Sequence, residues 1–135
     1  MRINVHIYDG ALPSAPIALE VAGAGAVVAF EGLVRSREDG RPIDGLDYET
    51  YDAMAEKSLQ LLARRACIRF DLIGISVEHS RDFVHNGACA FRLRIASTHR
   101  KEALAAMDWF IDVMKQDVPI WKKPVYSSHQ VESSR

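Results

Sequence analysis

The chain has 135 residues and a mass of 15.1 kDa, enough for one hydrophobic core and too few for two. At 48% hydrophobic and 26% charged residues it lies within ordinary globular usage, which excludes disordered, collagen-like and coiled-coil chains. Seventeen Lys and Arg against 18 Asp and Glu leave a net charge of −1, so the surface as a whole is not built to grip nucleic acid.

The longest apolar run, around Gly25 to Phe30, falls well short of the ~20 residues of a membrane helix. No basic-then-apolar leader opens the chain, so a cytoplasmic protein is expected. Cys67 and Cys89 lack CxxC spacing and fall on apolar faces, which predicts two core residues rather than sulfur carriers.

In chain order, Met1 to Tyr8 alternates Ile3, Val5 and Ile7 and reads as a strand. Asp9 to Pro16, with Gly10, Pro13 and Pro16, reads as a loop followed by at most a short helix through Ala22. Gly25 to Arg35 is β-rich, and Ile43 to Tyr51 alternates Leu46, Tyr48 and Thr50. Between them, polar Ser36 to Pro42 contains Asp39-Gly40 and reads as a mobile hairpin loop. Residues 53–70 place Ala55, Leu59, Leu62, Ala63, Ala66 and Phe70 at helical spacing, with Asp52 as the N-cap.

Two strands follow, one alternating Ile73, Ile75 and Val77, the other Cys89, Phe91, Leu93 and Ile95. The second turns Arg92 and Arg94 to its opposite face, which is therefore solvated or meets a partner. After Thr98 a second long helix presents Ala103, Leu104, Met107, Phe110, Ile111 and Met114 until Pro119 stops it. With no linker or internal repeat, residues 1–135 read as a single α+β domain, a mostly antiparallel sheet packed with two long helices.

The neutral total hides an uneven distribution. Residues 36–58 carry seven acids against three bases, and residues 79–101 carry five bases against one acid. Two solvated faces would explain this; so would a basic anion site and an acidic docking surface. Thr98-His99-Arg100-Lys101 sets cations at the first turn of a helix, where the dipole and unpaired N–H groups already favour an anion. The alternative is that His99 and Arg100 point into water or pair with a distant acid.

Lys115, Lys122 and Lys123 cluster around Pro119 and Trp121. Such a run ordinarily marks a solvated helix end, but a bulky aromatic beside a rigid proline can hold a lysine against an apolar wall and make its amine usable as base, acid or nucleophile. Arg100 and Lys115, fifteen positions apart, would be ~22 Å apart along one helix. If both serve one small substrate, the site is composite, with its two ends supplied by different chains of an oligomer. His6, His79, His85, His99 and His129 show no metal-ligand spacing, so no metal is expected. Gly23-Ala24-Gly25 has Val28 where a dinucleotide fingerprint needs its third glycine and reads as a turn.

Taken in order, Gly25-Ala-Val-Val-Ala-Phe30-Glu-Gly32-Leu-Val-Arg35, Tyr48-Glu-Thr-Tyr51-Asp-Ala-Met54-Ala-Glu-Lys57, Ser97-Thr-His99-Arg100, and Lys115 followed by Val118-Pro-Ile-Trp121-Lys122 resemble the MoaE family, the large catalytic subunit of molybdopterin synthase. The resemblance runs from about Ala22 to Lys123.

It implies a MoaE-like fold of α/β-hammerhead type and a reaction in which cyclic pyranopterin monophosphate (precursor Z) gains two sulfurs to become molybdopterin. The sulfur would arrive as the C-terminal thiocarboxylate of a small ubiquitin-like, MoaD-like subunit, with no other cofactor. The assembly implied is a homodimer of large subunits within a heterotetramer.

By the same resemblance Lys115 and Lys122 would be catalytic, stabilising an oxyanion and moving protons. Phe30 and Arg35 would line the substrate pocket, and His99 and Arg100 would reach in from the other large subunit to a pterin phosphate. The chain departs from the family pattern at Ser80-Arg81-Asp82, Asn86-Gly87-Ala88 and Pro124. Gln130-Val-Glu132 resembles the family's Trp-Val-Glu, and by the same resemblance Arg135 would replace a C-terminal pocket arginine. These departures motivate an alternative, a non-catalytic paralogue that binds a pterin phosphate or a ubiquitin-like partner.

Overall fold

The computed structural model describes residues 2–127. Strand β1 (Arg2–Asp9) is followed by β2 (Ala26–Leu33), β3 (Arg37–Glu38) and β4 (Arg41–Thr50), then helix α1 (Asp52–Phe70). Strands β5 (Gly74–His85) and β6 (Cys89–Ser97), helix α2 (Arg100–Asp117) and strand β7 (Ile120–Tyr126) complete the described chain. The strands form one seven-stranded sheet in the order β2-β6-β5-β4-β3, with β1 joined to β5 and β7 to β4. Only the β1–β5 pairing is parallel, so the expected α+β fold with a mostly antiparallel sheet holds.

Strand β5 belongs to both halves of the sheet. Its first part pairs with β1 and β6, and Asp82 to His85 pairs with β4. Asp82 sits at the change of partner with φ 64°, a left-handed conformation that Asp tolerates better than most residues and that bends the strand. Alternate side chains of β5 and β6, including Ile75, Val77, Leu93 and Ile95, join Leu59, Leu62, Ala63 and Ala66 of α1 and Ala103, Ala106 and Phe110 of α2 in the main core. A smaller cluster of Val34, Ile43, Leu46, Val84 and Ala90 lies beyond the bend.

The other face of β5 and β6 is neither solvated nor left for a partner. The chain's own segment after β1 lies across it: Arg92 donates to the Pro13 carbonyl at 2.8 Å, Arg94 to Ile17 at 3.0 Å and Asn4 to Ala18 at 2.8 Å. Those carbonyls are taken by side chains, and the short helix expected before Ala22 does not form.

Further expectations are corrected or sharpened. Residues 120–126 form a strand rather than a helix end, and the 36–42 loop includes the short strand β3. Helix α1 begins at Asp52 with Tyr51 at the cap position, and α2 begins at Arg100 with His99 there. Leu104 is exposed rather than part of the buried stripe. Among the described residues no helix is long and apolar enough to cross a membrane.

Candidate functional site

Two centres emerge from the residues singled out in the sequence. The first lies where the β3–β4 hairpin meets β7. Asp39 and Gly40 both have positive φ, 52° and 75°, the backbone a tight two-residue hairpin requires. Arg37 steadies the turn by donating to the Gly40 carbonyl at 2.6 Å. The turn sets Glu38 at the end of β3, where its carboxylate reaches Arg35 Nη2 at 3.6 Å and Lys122 Nζ at 3.5 Å.

Lys122 stands opposite Tyr48 in the β4–β7 ladder. Period-two alternation sends the neighbouring acids of β4, Asp47 opposite Lys123 and Glu49 opposite Trp121, to the other face. Strand β7 carries no acid of its own. The carboxylate that meets Lys122 therefore comes from the hairpin.

An aromatic row joins this centre to the sheet's far edge. Phe30, on edge strand β2, lies 6.0 Å from Phe91 between ring centroids. Phe91 lies 5.8 Å from His79, and His79 packs edge-on to Tyr48 at 5.3 Å. Burial pushes the Tyr48 phenol above its usual pKa, and the charge of Glu38 adds to the shift. Burial also lowers the His79 imidazole, partly offset by its hydrogen bond to the Ser80 carbonyl at 2.7 Å. A carbonyl only accepts, so Nδ1 of His79 carries the proton. Trp121 and Tyr51 stack edge-on at 5.5 Å, both largely exposed, beside the same strand.

The second centre is a hollow of ≈ 510 Å³ at the start of α2, lined by Gly25, Ala26 and residues 98–102. Gly25 is required there, since a Cβ would stand 2.3 Å from the Thr98 carbonyl oxygen. His99, Arg100 and Lys101 are exposed around it, and the N-terminal N–H groups of α2 open into the same region.

Arg35 and Lys122 are thus brought together through Glu38, and Phe30 stands at the far end of the aromatic row, whereas His99 and Arg100 line the separate hollow at the start of α2. Lys115 lies exposed in the last turn of α2, on the same helix as Arg100 and ~22 Å from it at the standard rise. Gln130, Glu132 and Arg135 lie outside the described residues.

The basic stretch 79–101 is mostly consumed internally. Arg92 is buried against Glu78, Arg81 pairs with Asp9, and Arg94 holds the Ile17 carbonyl. Arg100 and Lys101 remain exposed. Cys67 is buried as expected, while Cys89 is only half-buried with its thiol directed at the Phe91 carbonyl; burial raises both thiol pKa values. Glu38, Tyr48 and His79 escaped the sequence reading as site residues because each gains its meaning from a neighbour on another strand.

The family model described as MoaE protein matches residues 12–117. A protein of Culex quinquefasciatus named molybdopterin synthase catalytic subunit is 38% identical over 107 residues, covering 78% of this chain and 68% of the relative. The crystal structure of molybdopterin synthase from Staphylococcus aureus superimposes with a TM-score of 0.80 at 29% identity, covering 90% of each chain. A complex of subunits 1 and 2 of the molybdopterin-converting factor from Helicobacter pylori 26695 matches with a TM-score of 0.71 at 26% identity, covering 92% of this chain and 90% of that one. On this fold, these matches and the ordered motifs from Gly25 to Lys122, the chain belongs to the MoaE family.

Proposed function

We propose that this chain is the catalytic subunit of a molybdopterin synthase working in the cytoplasm. It would convert cyclic pyranopterin monophosphate to molybdopterin with sulfur from the C-terminal thiocarboxylate of a small ubiquitin-like subunit, and without a further cofactor. The observation that carries the reading is the convergence of Arg35 and Lys122 on one carboxylate at the end of an aromatic row that runs through Tyr48 and Phe91 to exposed Phe30. A cationic, partly apolar site suits an extended carrier tail ending in an anionic group.

Lys122 would hold the negative charge that develops on the thiocarboxylate carbon's oxygen as sulfur is transferred, and Lys115 would serve as proton donor and acceptor when the cyclic phosphate opens. Arg35 can bind phosphate or carboxylate through paired N–H donors, with Phe30 forming the apolar wall. His99 and Arg100 lie too far along α2 to join Lys115 within one chain, so they would complete the pocket of a second copy in a homodimer carrying one small subunit on each side.

The test mixes the protein with thiocarboxylated small subunit and cyclic pyranopterin monophosphate and follows the pterin by mass spectrometry. Conversion is expected, with Lys115→Ala or Lys122→Ala lowering kcat by ~100-fold or more without unfolding the domain. Binding of both partners without conversion would instead identify the non-catalytic paralogue. Full turnover by both lysine variants would remove the lysines from the mechanism.

A further inference from the structure

Resting on that reading of Lys122, we propose that Glu38 is a positioning residue of the site. Its carboxylate, clamped between Arg35 and Lys122, fixes where the ammonium points and keeps two like charges apart. Three observations carry this. The two contacts, 3.6 Å to Arg35 Nη2 and 3.5 Å to Lys122 Nζ, use different oxygens of one carboxylate. The Glu38 side chain is only 16% exposed while its partners are 77% and 53% exposed, so the acid is the anchored member and the cations are the ones restrained. The cross-strand register also leaves Lys122 facing Tyr48, with the neighbouring acids Asp47 and Glu49 on the other side.

Ion pairs this open to water contribute little to folding. What Glu38 supplies is geometry, and a lysine that must meet a developing oxyanion is sensitive to displacements of about 1 Å. Removing the carboxylate leaves Arg35 and Lys122 without a shared counter-charge. The site then becomes more positive, which favours an anionic substrate, while the ammonium loses its fixed place. Binding and turnover should therefore separate.

The variant Glu38→Gln keeps size and shape and removes the charge. In the complete enzyme with thiocarboxylated small subunit, kcat is expected to fall by about tenfold or more while KM for the cyclic pterin phosphate stays level or decreases; Glu38→Asp, which retains charge at shorter reach, should recover part of the loss. Independently of activity, lysine amines labelled by reductive 13C-methylation report the local field. The Lys122 signal, assigned with Lys122→Arg, should move in Glu38→Gln while that of exposed Lys57 stays in place.

An unmoved Lys122 signal, or wild-type kcat in Glu38→Gln, would overturn the proposal. A moved signal together with full turnover by Lys122→Ala would instead overturn the catalytic assignment of Lys122, leaving the contact real but without a catalytic consequence. A raised KM at constant kcat would make Glu38 a binding determinant and also contradict the positioning role.

Discussion

Arg92 shows how far a single residue's role can depart from its sequence neighbourhood. Counted with the basic stretch it suggests a surface cation, yet its side chain is 5% exposed, and Nη1 contacts both oxygens of the fully buried Glu78 at 3.2 and 3.0 Å. Nε pairs with Glu31 at 3.0 Å, Nη2 takes the Pro13 carbonyl, and Tyr8 donates to the same Glu78 at 3.3 Å. The Glu31 end is open to water and adds little. The Glu78 end is a desolvated pair whose loss strands a charge. Arg92→Ala is expected to cost about 3–5 kcal/mol in urea unfolding, whereas replacing the pair together with Arg92→Met and Glu78→Leu should cost markedly less. Equal losses in the two variants would mean that packing rather than the orphaned carboxylate dominates. Nothing local to Arg92 announces this, because its partners come from β2, β5 and the segment crossing the sheet.

At the scale of elements, the two long helices are legible and the short strands are not. The stripes of α1 and α2 repeat at helical spacing over many residues, and the side chains on them are buried almost as expected. Leu104 escapes because it stands at the edge of the stripe, about 100° around the helix from Ala103 and about 60° from Met107. Strand β7 lacks any apolar alternation, and Pro124 argues against a strand; it is tolerated because β7 pairs with β4 alone and so forms an edge. The β3–β4 hairpin is legible in its turn, since Asp39-Gly40 provides the positive φ that both positions need. Gly40→Ala is therefore expected to cost about 1 kcal/mol or somewhat more, read by denaturant unfolding. Because the turn sets Glu38, the same variant should lower kcat more than it raises KM. A stability loss with unchanged kinetics would show that Glu38 keeps its place without the tight turn.

For the molecule as a whole, the buried His79 ties β5 to β4 and β6 through Tyr48 and Phe91 and links stability to pH. Its folded-state pKa is lowered, chiefly by burial, so the unfolded chain binds the proton more readily. Stability is therefore complete above the unfolded imidazole value, about 6.5, and is lost as pH falls below it, at no more than about 1.4 kcal/mol per pH unit for one proton. Thermal unfolding at pH 7.5 and 5.5 should show the wild type losing more Tm over that interval than His79→Gln. Identical losses would assign the acid sensitivity to other groups.

The sequence by itself determined the α+β class, both long helices, the Asp39-Gly40 turn and, through ordered motifs, the family, because periodicity, turn chemistry and motif spacing are local and additive along the chain. Only the tertiary structure decided that Arg92 is buried against Glu78, that the segment after β1 covers the sheet, and that Glu38 stands between Arg35 and Lys122. Those are meetings of side chains from elements remote in sequence. They depend on strand order and register, and a shift by one residue would turn every one of these side chains to the opposite face.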